Sequence, residues 1–189
     1  MPQAFFKEYL TSLKADIEAL DRERLEQALG LMWETYRAGG QFLFFGNGGS
    51  AATASHAAAD FCKWTATEGK PRVRALSLAD NVAALTAVGN DIGYESVFVE
   101  QMKSALRPGD LAIGISASGN SPNVLEAIRY AAAHGAKTMG WVGFGGGKLA
   151  GLVDVAIVLE DRSYGRVEDV HMVLDHLLAE ALRRRIAQA

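Results

Sequence analysis

The first forty residues carry apolar side chains at the spacing of amphipathic helices. The pattern covers residues 5–20 and again residues 22–39, where the second run ends on Gly39 and Gly40. Glycine pairs commonly end helices because they adopt backbone conformations that other residues avoid. The pattern therefore predicts two leading helices.

After residue 40 the period of the apolar positions changes. Five short runs are mostly apolar and rich in branched and aromatic residues: 41–46, 72–78, 110–116, 137–143 and 153–160. Helical patterns separate them, at 50–64, 81–90, 95–106, 121–135 and a short 146–152, and a long one follows at 167–187. Strands without polar alternation are typical of a parallel sheet that is covered on both faces.

This alternation predicts a doubly wound α/β fold with a mainly parallel five-stranded sheet and helices on both faces. We expect a single domain over residues 1–189, made of a helical segment (1–40) and an α/β core with the final helix (41–189). Ligands of such folds bind at the carboxyl ends of the strands. The residues that follow each strand are therefore the candidates for function.

Composition narrows the function classes. The 189 residues are 49% hydrophobic and carry a net charge of −3, so no direct binding to nucleic acid is expected. No apolar run approaches the roughly 18 residues that a membrane-spanning helix needs. The single cysteine, Cys62, excludes an internal disulfide and predicts a reducing, cytoplasmic location.

A serine-rich loop, "SASGNS", follows the third predicted strand and leads into a helix. Hydroxyl groups and free backbone N–H groups at a helix N-terminus can bind a phosphate dianion without a lysine. Ser116, Ser118 and Ser121 lie close enough in sequence to surround one phosphate. The alternative is that Ser121 only caps the helix.

The turn after the first strand, "GNGGS", invites a different interpretation. Gly46, Gly48 and Ala51 match the dinucleotide fingerprint G-x-G-x-x-A. However, the next helix carries His56 and Asp60, and a second serine-rich loop has no obvious role in a dinucleotide-binding domain. We therefore do not predict NAD binding.

His56 and Asp60 are four residues apart and share one face of a helix. They fit a metal site or a proton-transfer site, or alternatively a simple hydrogen-bonded pair.

The final helix carries a second set of such residues: Glu168, His171, Asp175 and His176. Glu168 and His176 are separated by about 12 Å along a straight helix. One helix could hardly present both to a single ion, so we expect a neighbouring subunit to supply one of them. This spacing predicts a homo-oligomer.

Asn90 and Asp91 lie between two helical patterns. They could cap the following segment or contact sugar hydroxyls.

Five motifs in this order, "GNGGSAATASH", "NDIGYE", "SASGNSPN", "GGGKLAGLVDV" and "VEDVH…H", resemble the sugar isomerase (SIS) domain family over nearly the whole chain. Within it, the likeness is to the phosphoheptose isomerases. The resemblance implies aldose–ketose isomerisation of sedoheptulose 7-phosphate to D-glycero-D-manno-heptose 7-phosphate through an enediol. It also implies one zinc ion per site and a tetramer with sites between subunits.

The resemblance also implies the site residues. The sugar would contact Asn47, Gly48, Gly49, Ser50, Asn90, Asp91 and Glu168. The phosphate would be held by Ser116, Ala117, Ser118 and Ser121. Zinc would be bound by His56, Asp60, Glu168 and His176, and Asp60 and His176 would form the acid/base pair.

The chain departs from the family pattern at three positions. Asp60 stands where Glu is usual, Glu168 where Gln is usual, and Ala117 where Thr is usual. Two alternatives stay open: a non-catalytic tetrameric SIS protein that binds a replication initiator or senses sugar phosphates, and an isomerase of another phosphosugar. Retention of His56 and His176 counts against the first.

Overall fold

The computed structural model describes residues 2–189. In this part of the chain the helices are α1 (Pro2–Glu18), α2 (Arg22–Arg37), α3 (Gly49–Lys63), α4 (Val82–Asp91), α5 (Val97–Ala105), α6 (Pro122–Ala133) and α7 (Tyr164–Gln188). The strands are β1 (Gln41–Gly46), β2 (Arg74–Ser77), β3 (Leu111–Ser116), β4 (Lys137–Val142) and β5 (Val155–Val158). None of these helices is long and apolar enough to cross a membrane.

The five strands form one sheet in the order β2-β1-β3-β4-β5, and each neighbouring pair is parallel. The chain order reverses between β1 and β3, so their carboxyl ends flank the crevice where doubly wound folds bind ligands. The predicted fold class is confirmed.

Helices cover both faces of the sheet. Phe42 and Phe44 of β1 pack into a core with α2, α3 and α7 on one face. Leu43 and Phe45, the alternate residues of the same strand, pack with α5 and α6 on the other. Because both faces of β1 are buried, the strand is apolar throughout. This continuous apolar run is the pattern that predicted a strand from the sequence.

The structure corrects two predicted helix bounds. The final helix begins at Tyr164, three residues earlier than predicted. The predicted short helix at 146–152 is wrong except for a 3₁₀ turn at Leu149–Gly151. Gly145, Gly146 and Gly147 all have positive φ, a conformation that is incompatible with a right-handed helix.

Candidate active site

A polar cavity of about 140 Å³ lies beyond the carboxyl ends of β1 and β3. Its lining comes from the turn after β1, the serine loop after β3 and the start of α7. The residues are Asn47, Ser50, Ile115, Ser116, Ala117, Ser118, Ser121, Tyr164 and Glu168. Seven of these nine were predicted as substrate-binding residues, and the structure brings them together.

The serine loop is held in place by its own hydroxyl groups. The Gly119 N–H donates to Ser116 Oγ at 3.1 Å, and the Asn120 N–H donates to Ser118 Oγ at 3.2 Å. Gly119 has a φ of +64°, and a Cβ there would overlap the carbonyl oxygen of Gly146. The backbone conformation of the loop between β3 and α6 is therefore tightly constrained.

Ser121 occupies the N-cap position of α6 but makes no side-chain capping bond. Its Oγ lies 3.3 Å from Ser116 Oγ instead, at the cavity wall. Ser121 is therefore the N-cap residue by position, as the alternative predicted, but its hydroxyl group does not cap the helix. Two hydroxyl groups converge at a helix N-terminus, where backbone N–H groups favour an anion.

Glu168 lines the same cavity from α7. Its carboxylate lies directly against the Cα of Gly49, and a Cβ at that position would fall on the carboxyl group. Only glycine permits this approach. The N-terminal turns of α3 and α7 therefore meet at the cavity.

Asn47 is tied to two residues that the sequence did not single out. Its side chain exchanges two hydrogen bonds with buried Asn123, and the Tyr94 hydroxyl donates to its Oδ1 at 3.0 Å. Tyr164 is a third residue that was missed. The sequence indicated their role only weakly. Asn123 and Tyr94 lie inside two of the quoted motifs, but each is also an ordinary residue for the start of a helix.

Four other ligand-type side chains converge about two helical turns further along α3 and α7: His56, Asp60, Asp175 and His176. One ligand atom of each lies within 4.8 Å of all the others. His56 Nε2 lies 3.2 Å from His176 Nε2 and 3.5 Å from Asp60 Oδ2. We call this group the His/Asp cluster.

The two histidines of the cluster are half exposed, whereas the Asp175 side chain is fully buried. Its Oδ2 lies 3.9 Å from His56 Nε2, and neither of its oxygens has a hydrogen-bond partner. Burial raises the pKa of the Asp175 carboxyl to about 7, and the nearby Asp60 carboxylate adds to the rise. His171, one turn earlier, is also fully buried without a partner, and burial lowers its pKa to about 4.

Within one chain, three of the four predicted metal ligands meet and the fourth lies apart. His56, Asp60 and His176 belong to the cluster, whereas Glu168 lies at the serine-lined cavity. The reason is that α3 and α7 run parallel: Gly49 meets Glu168 at their start, and His56 meets Asp175 two turns later. Glu168 and His176 are about 12 Å apart along α7, so they could share an ion only if one of them came from a neighbouring subunit, which stays a prediction.

The donor set fits a divalent transition metal. Imidazole and carboxylate groups are ordinary zinc ligands, and ligand atoms around a tetrahedral zinc ion lie about 3.3 Å apart. Four of the pairs within the cluster lie 3.2 to 3.9 Å apart, and all of its ligand atoms lie within 4.8 Å of one another. The unpartnered Asp175 oxygens also need a cation or a donor there.

Asn90 and Asp91 lie in the last turn of α4, where Asn90 Nδ2 donates to Asp91 Oδ1 at 2.7 Å. The prediction that they cap the following segment is wrong, because Gly93 occupies that cap and no side chain bonds to it. Both side chains are exposed, so a contact with sugar stays a prediction.

Comparisons with known proteins agree on one family. The model of the SIS domain matches residues 5–143. A phosphoheptose isomerase from Aliarcobacter butzleri is 36% identical over 99% of this chain and 100% of its own, and one from Helicobacter pylori is 39% identical over 96% and 95%. The solved phosphoheptose isomerase GmhA from Neisseria gonorrhoeae superimposes with a TM-score of 0.87 at 34% identity, covering 96% of each chain.

Proposed function

The chain belongs to the SIS domain family, and on that premise we propose that it isomerises sedoheptulose 7-phosphate to D-glycero-D-manno-heptose 7-phosphate with a bound metal ion. It is a phosphosugar aldose–ketose isomerase, as are the relatives to which it is similar along nearly their whole length. The observation that carries the proposal is the pairing of a serine-lined cavity, which the first turns of α3 and α7 reach, with a His/Asp cluster further along the same two helices.

The serine-lined cavity suits the phosphate end of the substrate. Ser116 and Ser121 present hydroxyl groups beside the N-terminus of α6, where the Ser121 side chain makes no capping bond. Ala117 lines the cavity without a hydroxyl of its own. A phosphate held here fixes one end of the sugar, so that the binding energy orients the reacting carbons.

The His/Asp cluster suits the other end. A seven-carbon substrate carries its phosphate and its carbonyl at opposite ends, and the cluster lies about two turns from the cavity along α3 and α7. His56, Asp60 and His176 are the residues of the predicted zinc set that would hold the ion. A bound zinc ion would supply polarisation of the carbonyl and hydroxyl oxygens.

Asp60 and His176 carry out the proton transfers in this proposal. One removes the proton from the carbon beside the carbonyl, which gives an enediolate. The other returns a proton to the former carbonyl carbon, while the proton of the neighbouring hydroxyl passes to the former carbonyl oxygen. His176 Nε2 lies 3.8 Å from Asp60 Oδ2, so both groups face the same space. A carboxylate has two oxygens, which lets Asp60 bind a metal with one and accept a proton with the other.

We further propose a homotetramer with the sites at subunit interfaces, built from one SIS domain per chain. Two observations support it: His56 and His176 are half exposed, and Phe5, Phe6 and Leu10 present a large apolar surface on α1. An exposed apolar patch of this kind is typical of an interaction surface. The cytoplasmic location stays a prediction from the single cysteine.

The test is to incubate the protein with sedoheptulose 7-phosphate and follow the aldose product by NMR, before chelation, after chelation and after zinc is returned. Turnover that disappears and returns with zinc is the expected result. Absent turnover in a zinc-loaded protein that still binds phosphate analogues would point to another phosphosugar. Absent turnover in a protein that takes up no metal would make it a binding protein.

A further inference from the structure

The side-chain amide of Asn47 uses almost all of its hydrogen-bonding capacity inside the protein. Its Oδ1 accepts two hydrogen bonds, one from Asn123 Nδ2 at 2.8 Å and one from the Tyr94 hydroxyl at 3.0 Å. Its Nδ2 donates one hydrogen to Asn123 Oδ1 at 2.8 Å. An amide oxygen accepts two such bonds and an amide nitrogen donates two. Among residues 2–189, one N–H of Asn47 is therefore left without a partner.

The orientation of this amide is set by the backbone of α6. The Val124 N–H donates to Asn123 Oδ1 at 3.0 Å, so the oxygen of Asn123 must lie on the side of that N–H. Asn47 must then place its own nitrogen opposite that oxygen. If the Asn47 amide were turned over, oxygen would face oxygen and nitrogen would face nitrogen. Asn123 is only 1% exposed, so solvent could not relieve these two repulsions.

The direction of the Tyr94 hydrogen bond follows from the same orientation. An amide oxygen can only accept, so the Tyr94 hydroxyl must donate its proton to Asn47. Tyr94 begins a 3₁₀ turn, Tyr94–Ser96, that follows Asn90 and Asp91 in the chain. Its hydrogen bond therefore ties the segment that carries Asn90 and Asp91 to the turn after β1.

Asn47 lines the serine-lined cavity, whereas Asn123 and Tyr94 do not. Because only an N–H is left, the Asn47 side chain can recognise an oxygen that accepts a hydrogen bond, and it can accept none itself. The hydroxyl, carbonyl and phosphate oxygens of a sugar phosphate all meet this requirement, whereas an ammonium group does not.

We propose that Asn123 and Tyr94 are positioning residues for the isomerisation. They hold the Asn47 amide in the one orientation in which an N–H is free to donate to an oxygen of the sugar phosphate. Both act through Asn47 and not on the substrate itself. The identity of the ligand rests on the proposed function, whereas the orientation of the amide does not.

The kinetic test removes these contacts one at a time. Tyr94→Phe deletes the hydroxyl that donates to Asn47, and Asn123→Leu keeps a side chain of similar size that neither donates nor accepts. Tyr36→Phe is the matched control, because it also deletes one tyrosine hydrogen bond, to the Pro71 carbonyl near the amino ends of β1 and β2. Turnover of sedoheptulose 7-phosphate and urea unfolding are measured for the parent and all three variants.

We expect Tyr94→Phe to raise the KM about 2–10-fold, the contribution of one neutral hydrogen bond, with a smaller change in kcat. Asn123→Leu should raise the KM about 10–100-fold, because Asn47 loses both bonds that orient it. Tyr36→Phe should keep the kcat and KM of the parent.

A purely structural role predicts a different result. Unfolding of part of the sample lowers the concentration of active enzyme and hence the apparent kcat, whereas the KM of the remaining molecules is unchanged. A parent-like KM in either variant would overturn the positioning role of that residue. Absence of turnover in the parent would overturn the proposed function and with it the positioning role, but not the orientation of the amide.

Hydrogen positions in the unaltered protein decide that orientation without any substrate. In a neutron diffraction map of deuterium-exchanged crystals, one deuteron of Asn47 should point to Asn123 Oδ1, and the Tyr94 deuteron should point to Asn47 Oδ1. An Asn47 oxygen that faces the cavity, or a Tyr94 deuteron that points away from Asn47, would refute the proposal. Either of these results would leave the isomerase assay intact, so the two failures are distinguishable.

Discussion

The side chains of Asn47 and Asn123 form a reciprocal amide pair in which Nδ2 of each donates to Oδ1 of the other, both at 2.8 Å. The pair joins the turn after β1 to the first turn of α6, although 76 residues separate the two positions. Asn123 is buried, so neither water nor a neighbouring turn can easily replace its partner. The turn after β1 is thereby fixed relative to the serine loop that leads into α6.

We expect Asn123→Ala to lower the free energy of unfolding by about 1–3 kcal/mol, because the amide of Asn47 loses both bonds. Asn47→Ala should act similarly, and the double variant should be less destabilised than the sum of the two, with a coupling energy above about 0.5 kcal/mol. Urea denaturation of the four proteins measures this. Strict additivity would show that the pair contributes no mutual stabilisation.

Ser118→Ala should raise the KM for the sugar phosphate more than it lowers kcat. A hydroxyl bonded to a charged group contributes about 1.5–3 kcal/mol, so KM should rise about 10–100-fold. Steady-state kinetics measures this effect, and Ser104→Ala, at an exposed serine on α5, is the control. An unchanged KM in Ser118→Ala would remove this serine from phosphate binding.

His176→Ala should lower kcat by about 10²–10⁴-fold, the usual contribution of a general acid or base, with a further loss if zinc is released. Binding of a non-isomerisable phosphate analogue should persist, because the serine-lined cavity lies two turns away. Calorimetry with the analogue and a zinc assay on the same sample separate the effects. Full residual activity would exclude His176 from the mechanism.

His171 should destabilise the metal-free protein in mild acid. Burial lowers the pKa of its ring to about 4 in the folded protein, whereas the pKa in the unfolded chain is about 6.5. Between pH 6.5 and pH 4 the ring is therefore protonated in the unfolded chain and neutral in the folded protein. The stabilisation by the neutral ring is therefore complete above pH 6.5 and falls by up to about 3 kcal/mol as the pH drops to 4.

Asp175 changes the free energy of unfolding in the opposite direction. Burial raises the pKa of its carboxyl group to about 7, so as the pH falls the folded state binds this proton before the unfolded chain does and gains stability. The two effects are separated by comparing His171→Leu with the parent at each pH by urea denaturation. We expect the variant to gain stability relative to the parent as the pH falls from 6.5 to 4. Exposed His134→Gln should show no such gain; parallel curves for His171→Leu and the parent would refute the prediction.

The proposed tetramer predicts that charge on the apolar face of α1 separates the subunits. Phe6→Glu with Leu10→Glu places two carboxylates on that face, where both side chains are exposed in the single chain. Light scattering coupled to size-exclusion chromatography should show a tetramer for the parent and smaller species for the variant. A tetramer in both proteins would mean that α1 lies outside the interface, and a monomeric parent would refute the assembly itself.

The strands and the serine loop were predictable because their signals are local. Phe42–Phe45 are apolar on both faces, and Ser116–Ser121 follow a buried strand directly and lead into a helix. The i, i+4 spacing of His56 and Asp60 likewise placed both on one face of α3 before any packing was known. Such features depend only on the repeat of a strand or a helix.

The different surroundings of Asp175 and Glu168 depended on packing, which no local pattern contains. Both acids lie on α7. The spacing of eight residues from Glu168 to His176 showed only that these two residues lie at different positions along the helix axis. The parallel packing of α3 on α7 then put Glu168 against Gly49 and Asp175 beside His56. The sequence by itself determined the α/β order, the serine loop after β3 and the shared helix face of His56 and Asp60. The tertiary structure decided that Asp175 lies beside His56 and that Asn123 pairs with Asn47, because those contacts join segments that only folding brings together.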